Sequence, residues 1–297
     1  MFYMHVLNQL PPHNLFGLEA ESYEKAKIAV LPIPYDSTST YKAGSRDGPD
    51  AIIAASRNLE LYDYEIGKDI SSIGICTLEP MAPDMSSPEK MVGNIEEEVT
   101  PLLHDRKVPL LIGGEHTISI GAIRAISKSA KRPFSVLHFD AHSDSRDEIY
   151  GTRYSHASVL ARITDMHINT YSVGIRSIDK ESATKFKDRI LFRDEMHGMA
   201  ISEIVKRVNG NTENDIYLTF DFDVLDPSIM PSTGTPEPDG LTYRDTMGML
   251  KGVLSEKELI GMDFTEFAPI HGMIAPDFLA AKLIYQTIGY AFAKPGR

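Results

Sequence analysis

The sequence predicts an α/β fold in which a mostly parallel sheet carries helices on both faces. Short apolar runs alternate with longer segments of helical period, the signature of repeated strand, helix, strand units. Several of those runs are apolar through most of their length, as strands covered on both faces require. Clusters of acidic residues and His directly follow three of the runs, at the strand ends where open α/β sheets hold their ligands.

Strands are expected at residues 27–32 (KIAVLP), 108–112 (VPLLI), 133–139 (PFSVLHF), 169–173 (NTYSV), 189–192 (RILF), 215–220 (DIYLTF) and 259–264 (LIGMDF). Helical patterns fill the intervals at 49–57, 88–104, 117–127, 156–164, 178–186, 201–208, 243–254 and 276–292. No internal repeat, Ser/Gly-rich linker or shift of composition divides the chain, so residues 1–297 are expected to form one domain. Three long irregular stretches, at 79–87, 143–155 and 227–241, interrupt the pattern, and two of them directly follow Asp/His clusters. Long loops in a compact α/β domain are more often functional than idle.

Composition narrows the classes. With 297 residues, 42% hydrophobic and 24% charged, the chain has ample material for a buried core. Its formal charge of −12 and pI near 5.3 argue against nucleic acid as a partner. The single cysteine, Cys76, permits no internal disulfide and reads as a small buried apolar residue; a cytoplasmic setting is expected. The first fourteen residues lack a basic segment and contain His5, Pro11 and Pro12, so no signal peptide is expected there. No apolar run approaches the ~18 residues of a membrane span.

FDAHSD carries Asp140, His142 and Asp144 at i, i+2 and i+4 after an apolar strand. Alternate residues of extended chain point the same way, so the three side chains should converge. Alone, the cluster would also suit a solvated acidic loop. A second cluster, Asp221 and Asp223 in FDFDVLDP, repeats the arrangement, and a third strand runs through Gly113 and Gly114 into Glu115 and His116. The glycine pair lacks the Lys-Ser/Thr of a phosphate loop. Four carboxylates gathered at adjacent strand ends repel one another unless a cation compensates or their pKa values rise. The donors available are His116, His142, Asp140, Asp144, Asp221 and Asp223, with no thiolate. That set suits Mn²⁺, although intrinsic affinity favours Zn²⁺ or Co²⁺. Six such ligands suffice for two ions roughly 3.5 to 4 Å apart, a spacing that acidifies a bridging water.

GGEHT (113–117), FDAHSD (139–144) and FDFDVLDPSIMPSTGTPEPDGL (220–241) resemble the three metal-binding signatures of the ureohydrolase family, which includes arginases and agmatinases. LPIPYDSTSTYKAGSRDGPDAI (31–52) is similar to that family's N-terminal motif. The resemblance implies a three-layer α/β/α domain with a mostly parallel eight-stranded sheet and two Mn²⁺ per chain. It also implies a homo-oligomer, trimer or hexamer, and release of urea from a guanidino compound by attack of a metal-bridging hydroxide. By motif position, one ion would take His116, Asp140, Asp144 and Asp221, and the other Asp140, His142, Asp221 and Asp223. Glu115 and Thr219 depart from the family's usual Asp and Ser, at positions not expected to ligate.

Glu266 matches the family's guanidinium-binding glutamate, and its two oxygens suit the planar guanidinium fork. His156 lies where members carry a histidine at the cavity mouth, able to exchange protons near neutrality; capping or packing is the alternative. Asp144 would accept the hydroxide proton and pass it to the departing amine. His138 and Asp263 read as supporting groups, and His271 as a residue that would line the pocket or lie outside it. Arg146 stands where arginase-like members place an Asn, and the site remains net negative after two divalent cations and a hydroxide are counted. Both favour the dication agmatine, yielding putrescine and urea. Arg146 or Arg153 holding a distal carboxylate would instead favour guanidinobutyrate or arginine. A one-metal zinc deacetylase or a non-catalytic binding protein on the same architecture are rivals, but all six ligand positions are filled.

Overall fold

The computed structural model describes residues 10–19 and 22–293. Residues 1–9, part of the segment expected not to be a signal peptide, lie outside the described residues. The strands are β1 (Ile28–Ile33), β2 (Tyr62–Asp63), β3 (Lys68–Asp69), β4 (Ile75–Thr77), β5 (Val108–Gly113), β6 (Phe134–Phe139), β7 (Asn169–Ile175), β8 (Ile190–Phe192), β9 (Asp215–Asp221) and β10 (Glu258–Thr265). The helices are α1 (Gly48–Ser56), α2 (Pro88–His104), α3 (Ile118–Ser129), α4 (Val159–Asp165), α5 (Lys180–Phe186), α6 (Arg193–Met196), α7 (Ile201–Asn211), α8 (Tyr243–Glu256) and α9 (Ile274–Phe292).

Eight strands form one sheet in the order β4-β1-β5-β10-β9-β6-β7-β8, and every pairing is parallel. All seven strands expected from the apolar runs are present. The eighth, β4, is three residues whose Ile-Cys-Thr makes no continuous apolar run, unlike the equally short Ile-Leu-Phe of β8, and β2 and β3 make a separate small hairpin. Cys76 corrects the expectation of burial: it sits half-buried on β4, an edge strand that pairs on one side only.

The sheet's two faces explain the near-continuous apolar runs. Ile28, Val30, Leu110, Ile112, Leu137, Phe139, Leu218 and Phe220 pack on one side with side chains of α1, α7, α8 and α9. Residues of opposite parity, including Leu31, Leu111, Val136 and Tyr217, pack on the other with α2, α3 and α4. Each such side chain is fully or nearly fully buried, a contribution of roughly 1.5 to 3 kcal/mol apiece. Helix starts are marked locally: Ser87 Oγ accepts the Lys90 N–H at 3.2 Å before α2, and Thr242 Oγ1 accepts that of Asp245 at 3.1 Å before α8.

Topology places the acidic clusters side by side. β5 and β6 follow each other along the chain in this sheet yet are separated by β10 and β9, so their carboxyl ends flank a gap of the kind in which such sheets bind ligands. The turn leaving β5 is very close to the segment leaving β1: Gly114 N–H donates to Ile33 O at 3.1 Å and Glu115 N–H to Tyr35 O at 2.7 Å. A Cβ on Gly114 would lie 1.8 Å from the Tyr35 carbonyl oxygen, so the glycine pair serves chain packing. Gly114→Ala should therefore destabilise the protein by about 3 kcal/mol or more, read from the denaturant midpoint; an unchanged midpoint would show that the β1 segment yields freely.

Candidate active site

Four neighbouring strands, β5, β10, β9 and β6, deliver the functional side chains at their carboxyl ends. Asp140, His142 and Asp144 follow β6, Asp221 ends β9 with Asp223 in the turn beyond, His116 follows β5, and Glu266 follows β10. Two of these residues hold left-handed backbone, Asp144 at φ 43° and Glu266 at φ 63°. That conformation costs a non-glycine residue on the order of 1 kcal/mol or more and clusters at functional sites. Peptide N–H groups aim the carboxylates: His116 N–H donates to Glu266 Oε1 at 2.8 Å, Asp223 N–H to Asp221 Oδ1 at 2.8 Å, and Ala141 N–H to Asp223 Oδ1 at 3.1 Å.

All six residues expected to bind metal converge, around two foci. His116 Nδ1 lies 3.1 Å from Asp140 Oδ2, 3.1 Å from Asp144 Oδ2 and 3.4 Å from Asp221 Oδ2. His142 Nδ1 lies 2.8 Å from Asp223 Oδ2 and 3.6 Å from Asp140 Oδ1. Asp140 belongs to both foci, so this donor set is able to hold divalent cations at each.

Two residues below, on the same face, runs a polar row across the sheet. Ser172 is paired with His138, His138 with Thr219, and Thr219 with Asp263. His138 Nε2 lies 2.8 Å from Asp140 Oδ2 and its Nδ1 2.9 Å from Ser172 Oγ, so its ring is already committed to supporting Asp140. The Thr219 hydroxyl donates to Asp263 Oδ1 at 2.6 Å, and Tyr217 OH donates to Asp263 Oδ2 at 2.7 Å. With its one proton spent, Thr219 Oγ1 accepts from His116 Nε2, 2.8 Å away. His116 Nδ1 is then left facing three carboxylates, buried and without a hydrogen-bond partner. A divalent cation fits that position: a hydroxyl or carboxylate on the far nitrogen of a ligating histidine is the usual means of fixing its tautomer.

The charges point the same way. Burial, then the carboxylates of Asp223 and Asp140, push Asp221 well above the usual carboxylate range, and burial, then Glu115, does the same to Glu266. Burial opposes an imidazolium at His116, but Asp140, Asp144 and Asp221 outweigh it and hold its pKa well above the ordinary value. The cluster thus recruits protons where a cation would serve. His156 behaves oppositely, being pushed down chiefly by burial, so its imidazole is neutral at neutral pH.

The profile of the arginase family matches residues 26–289. The chain belongs to the arginase family. It is 34% identical over 300 residues to an N(1)-aminopropylagmatine ureohydrolase of Synechocystis, covering 97% of each chain, and 38% identical over 280 residues to one of Thermus thermophilus, covering 93% of this chain and 94% of that one. The structure is similar to that of agmatine ureohydrolase from Thermoplasma volcanium, with a TM-score of 0.85, 31% identity and coverage of 97% and 96%. This arginase-family chain is accordingly a hydrolytic enzyme of the ureohydrolase type.

The other expected residues divide. Glu266 is buried beside the cluster, its Oε1 3.9 Å from His156 Nδ1. A cavity of about 190 Å³ opens beside His142 and Asp144 and is lined further by Arg146 and Asp179. Arg153 lines neither this cavity nor the hollow next to it: its guanidinium is turned to Asp147 at 2.9 Å and Asp165 at 3.1 Å on the surface. His271 is exposed on the loop before α9, outside the cavity lining. The sequence reading did not single out Arg176 or Glu237. Arg176 donates to the carbonyls of Asp223 (2.7 Å), Glu237 (3.0 Å) and Pro238 (2.9 Å), clamping the loop after β9 to β7. Glu237 Oε1 is 3.6 Å from His142 Nε2. An arginine directly after an apolar strand and a glutamate between two prolines were the available signals.

Glu115 is buried and has no cationic partner among the described residues, and burial, against hydrogen bonds from Thr38, pushes its carboxyl from an ordinary 4.5 up to about 7. The folded chain therefore keeps a proton that the unfolded chain has released, and stability falls as pH rises through that window. Glu115→Gln removes the effect. Relative to the parent it should gain on the order of 2 to 3 kcal/mol between pH 4.5 and pH 8, measured by chemical unfolding at several pH values; a difference independent of pH would show that the hydrogen bonds cancel the burial.

Proposed function

We propose that this enzyme hydrolyses a linear guanidino amine to urea and the matching amine, agmatine giving putrescine. The observation that carries the reading is the convergence of His116, His142 and four aspartates beside the buried carboxylate of Glu266. Two Mn²⁺ held by His116, Asp140, Asp144, Asp221, His142 and Asp223 would supply an acidified water and neutralise the carboxylates. Glu266 receives the guanidinium in a two-oxygen pairing, and a guanidinium entering beside it favours its ionised form. Asp144 takes the proton released as water adds to the guanidinium carbon and returns it to the departing nitrogen, whose C–N bond breaks. The water's other proton leaves through His156, whose imidazole lies 3.9 Å from Glu266 and exchanges protons with solvent, so that the released amine ends as its ammonium. The whole chain is proposed to act as one catalytic unit, cytoplasmic as its single cysteine suggests, and homo-oligomeric as the family resemblance implies. Among the described residues no helix is long and apolar enough to cross a membrane.

A second reading of the substrate rests on the surface beyond the cavity. A hollow of about 460 Å³ shares Arg146 and Asp179 with it and adds Asp147, Glu148, Asp165 and Glu181 against Arg162 and Lys185. A net acidic extension suits a longer polycation, and the Synechocystis and Thermus relatives are named for N(1)-aminopropylagmatine.

His142→Ala should abolish nearly all turnover and lower bound Mn²⁺ by about one ion per chain, counted by metal analysis after dialysis; full activity would remove His142 from the ligand set. His156→Ala should reduce kcat by roughly 10²-fold or more with metal content intact. An unchanged rate and pH profile would assign the residue to packing.

Assayed for urea release, agmatine and its aminopropyl derivative should exceed arginine and guanidinobutyrate in kcat/KM by about tenfold or more, since a charge-assisted pair at the distal ammonium is worth roughly 1.5 to 3 kcal/mol. A preference for guanidinobutyrate that Arg146→Ala destroys would move the assignment to a carboxylate substrate.

A further inference from the structure

Glu115 is a buried carboxylate that the proposed chemistry does not use, one residue from a metal-ligand position. Its oxygens are met mainly by the loop that leaves β1, with a further hydrogen bond from Thr117 of its own turn. Thr38 N–H donates to Glu115 Oε2 at 2.8 Å, Thr38 Oγ1 donates to Oε1 at 2.7 Å, and Ser39 Oγ donates to Oε2 at 3.3 Å. A carboxylate buried without a cation is costly unless its lone pairs are met by donors, and here the loop supplies them. The same loop is tied at its far end, where Asp36 pairs with Arg46 and accepts the Gly44 N–H at 2.8 Å.

The loop's other contacts reach His156. Thr38 Oγ1, having given its proton to Glu115, accepts the His156 N–H at 3.0 Å. Thr40 Oγ1 lies 3.2 Å from His156 Nε2. The backbone and the outer nitrogen of His156 are therefore both held from this loop, while Nδ1 faces Glu266. The helical turn that carries His156 begins at that residue, so its own segment provides no preceding helix to fix its entry. We infer that Thr38 is a positioning residue for His156: anchored by Glu115, it holds the segment that sets the imidazole 3.9 Å from Glu266. This rests on the proton-handling role proposed for His156.

The longer side chain at position 115 belongs to the same device. A glutamate reaches both the amide and the hydroxyl of Thr38, whereas an aspartate is one methylene shorter. The departure from the family's usual residue thus has a local physical consequence in this chain.

A double-mutant cycle in the Mn²⁺-loaded enzyme, using the best guanidino substrate, tests the inference. Thr38→Val should lower kcat by roughly tenfold or more with little change in KM, and Thr38→Ser should restore it to within about twofold. In the His156→Ala background the valine change should have almost no further effect, because the residue it positions is gone. An equal loss in both backgrounds would make Thr38 merely structural and overturn the inference, as would a Thr38→Val enzyme with parental kcat. If His156→Ala alone retains the parental rate, the role of His156 fails and the inference falls with it. Thr38→Ala supplies the same comparison should the valine variant not fold. Bound Mn²⁺ is measured in every variant, and a loss confined to Thr38 variants would also overturn the inference.

Discussion

Concentrated negative charge at one buried place is the constraint on which this structure turns. Asp140, Asp221 and Asp223 are almost wholly shielded from solvent, with Asp144 and Glu266 next to them, and desolvation alone would expel such a group from a folded core. The fold answers in two ways. Peptide N–H groups at strand ends and tight turns take one oxygen of Asp140, Asp221, Asp223 and Glu266, and the other oxygen of each aspartate turns to His116 Nδ1 or His142 Nδ1. A parallel sheet provides those ends in numbers, since the four central strands stop at the same edge.

Precision comes from what lies beneath and around the cluster. The row Ser172, His138, Thr219 and Asp263 turns otherwise ordinary strand positions into a fixed set of hydrogen bonds that orient Asp140 and His116. From the other side Arg176 spends its guanidinium on backbone carbonyls, a use for which its rigid fork of donors is suited. Sites held by locked neighbours keep the geometry that ligation and proton transfer need. Beyond the cavity, the loop after Asp144 and α5 line a hollow in which carboxylates outnumber cations.

The chemistry was legible in the sequence because it sits at strand termini. FDAHSD, FDFD and GGEH each follow an apolar run, and period-two geometry is enough to bring Asp140, His142 and Asp144 to one side. The seven strands with apolar runs, the helices between them and the supporting parity of His138 and Asp263 are consequences of the same local rules. The edge strand β4 escaped because Ile-Cys-Thr makes no continuous apolar run, unlike the equally short Ile-Leu-Phe of β8, and Cys76 was misplaced with it. Arg153 was beyond reach for another reason: an arginine's partner is chosen by what folds near it, here Asp147 and Asp165.

The sequence by itself determined which residues could ligate, which segments were strands and that the strand ends were the place of chemistry, since these follow from residue type and spacing within a few positions. Only the tertiary structure decided that β10 and β9 lie between β5 and β6, that His116 Nδ1 is the nitrogen left for a cation, and that Glu115, 77 residues from Thr38 along the chain, holds the loop on which His156 rests. Those outcomes depend on contacts between segments far apart in the chain, whose relative placement is set by the packing of the whole sheet and its helices.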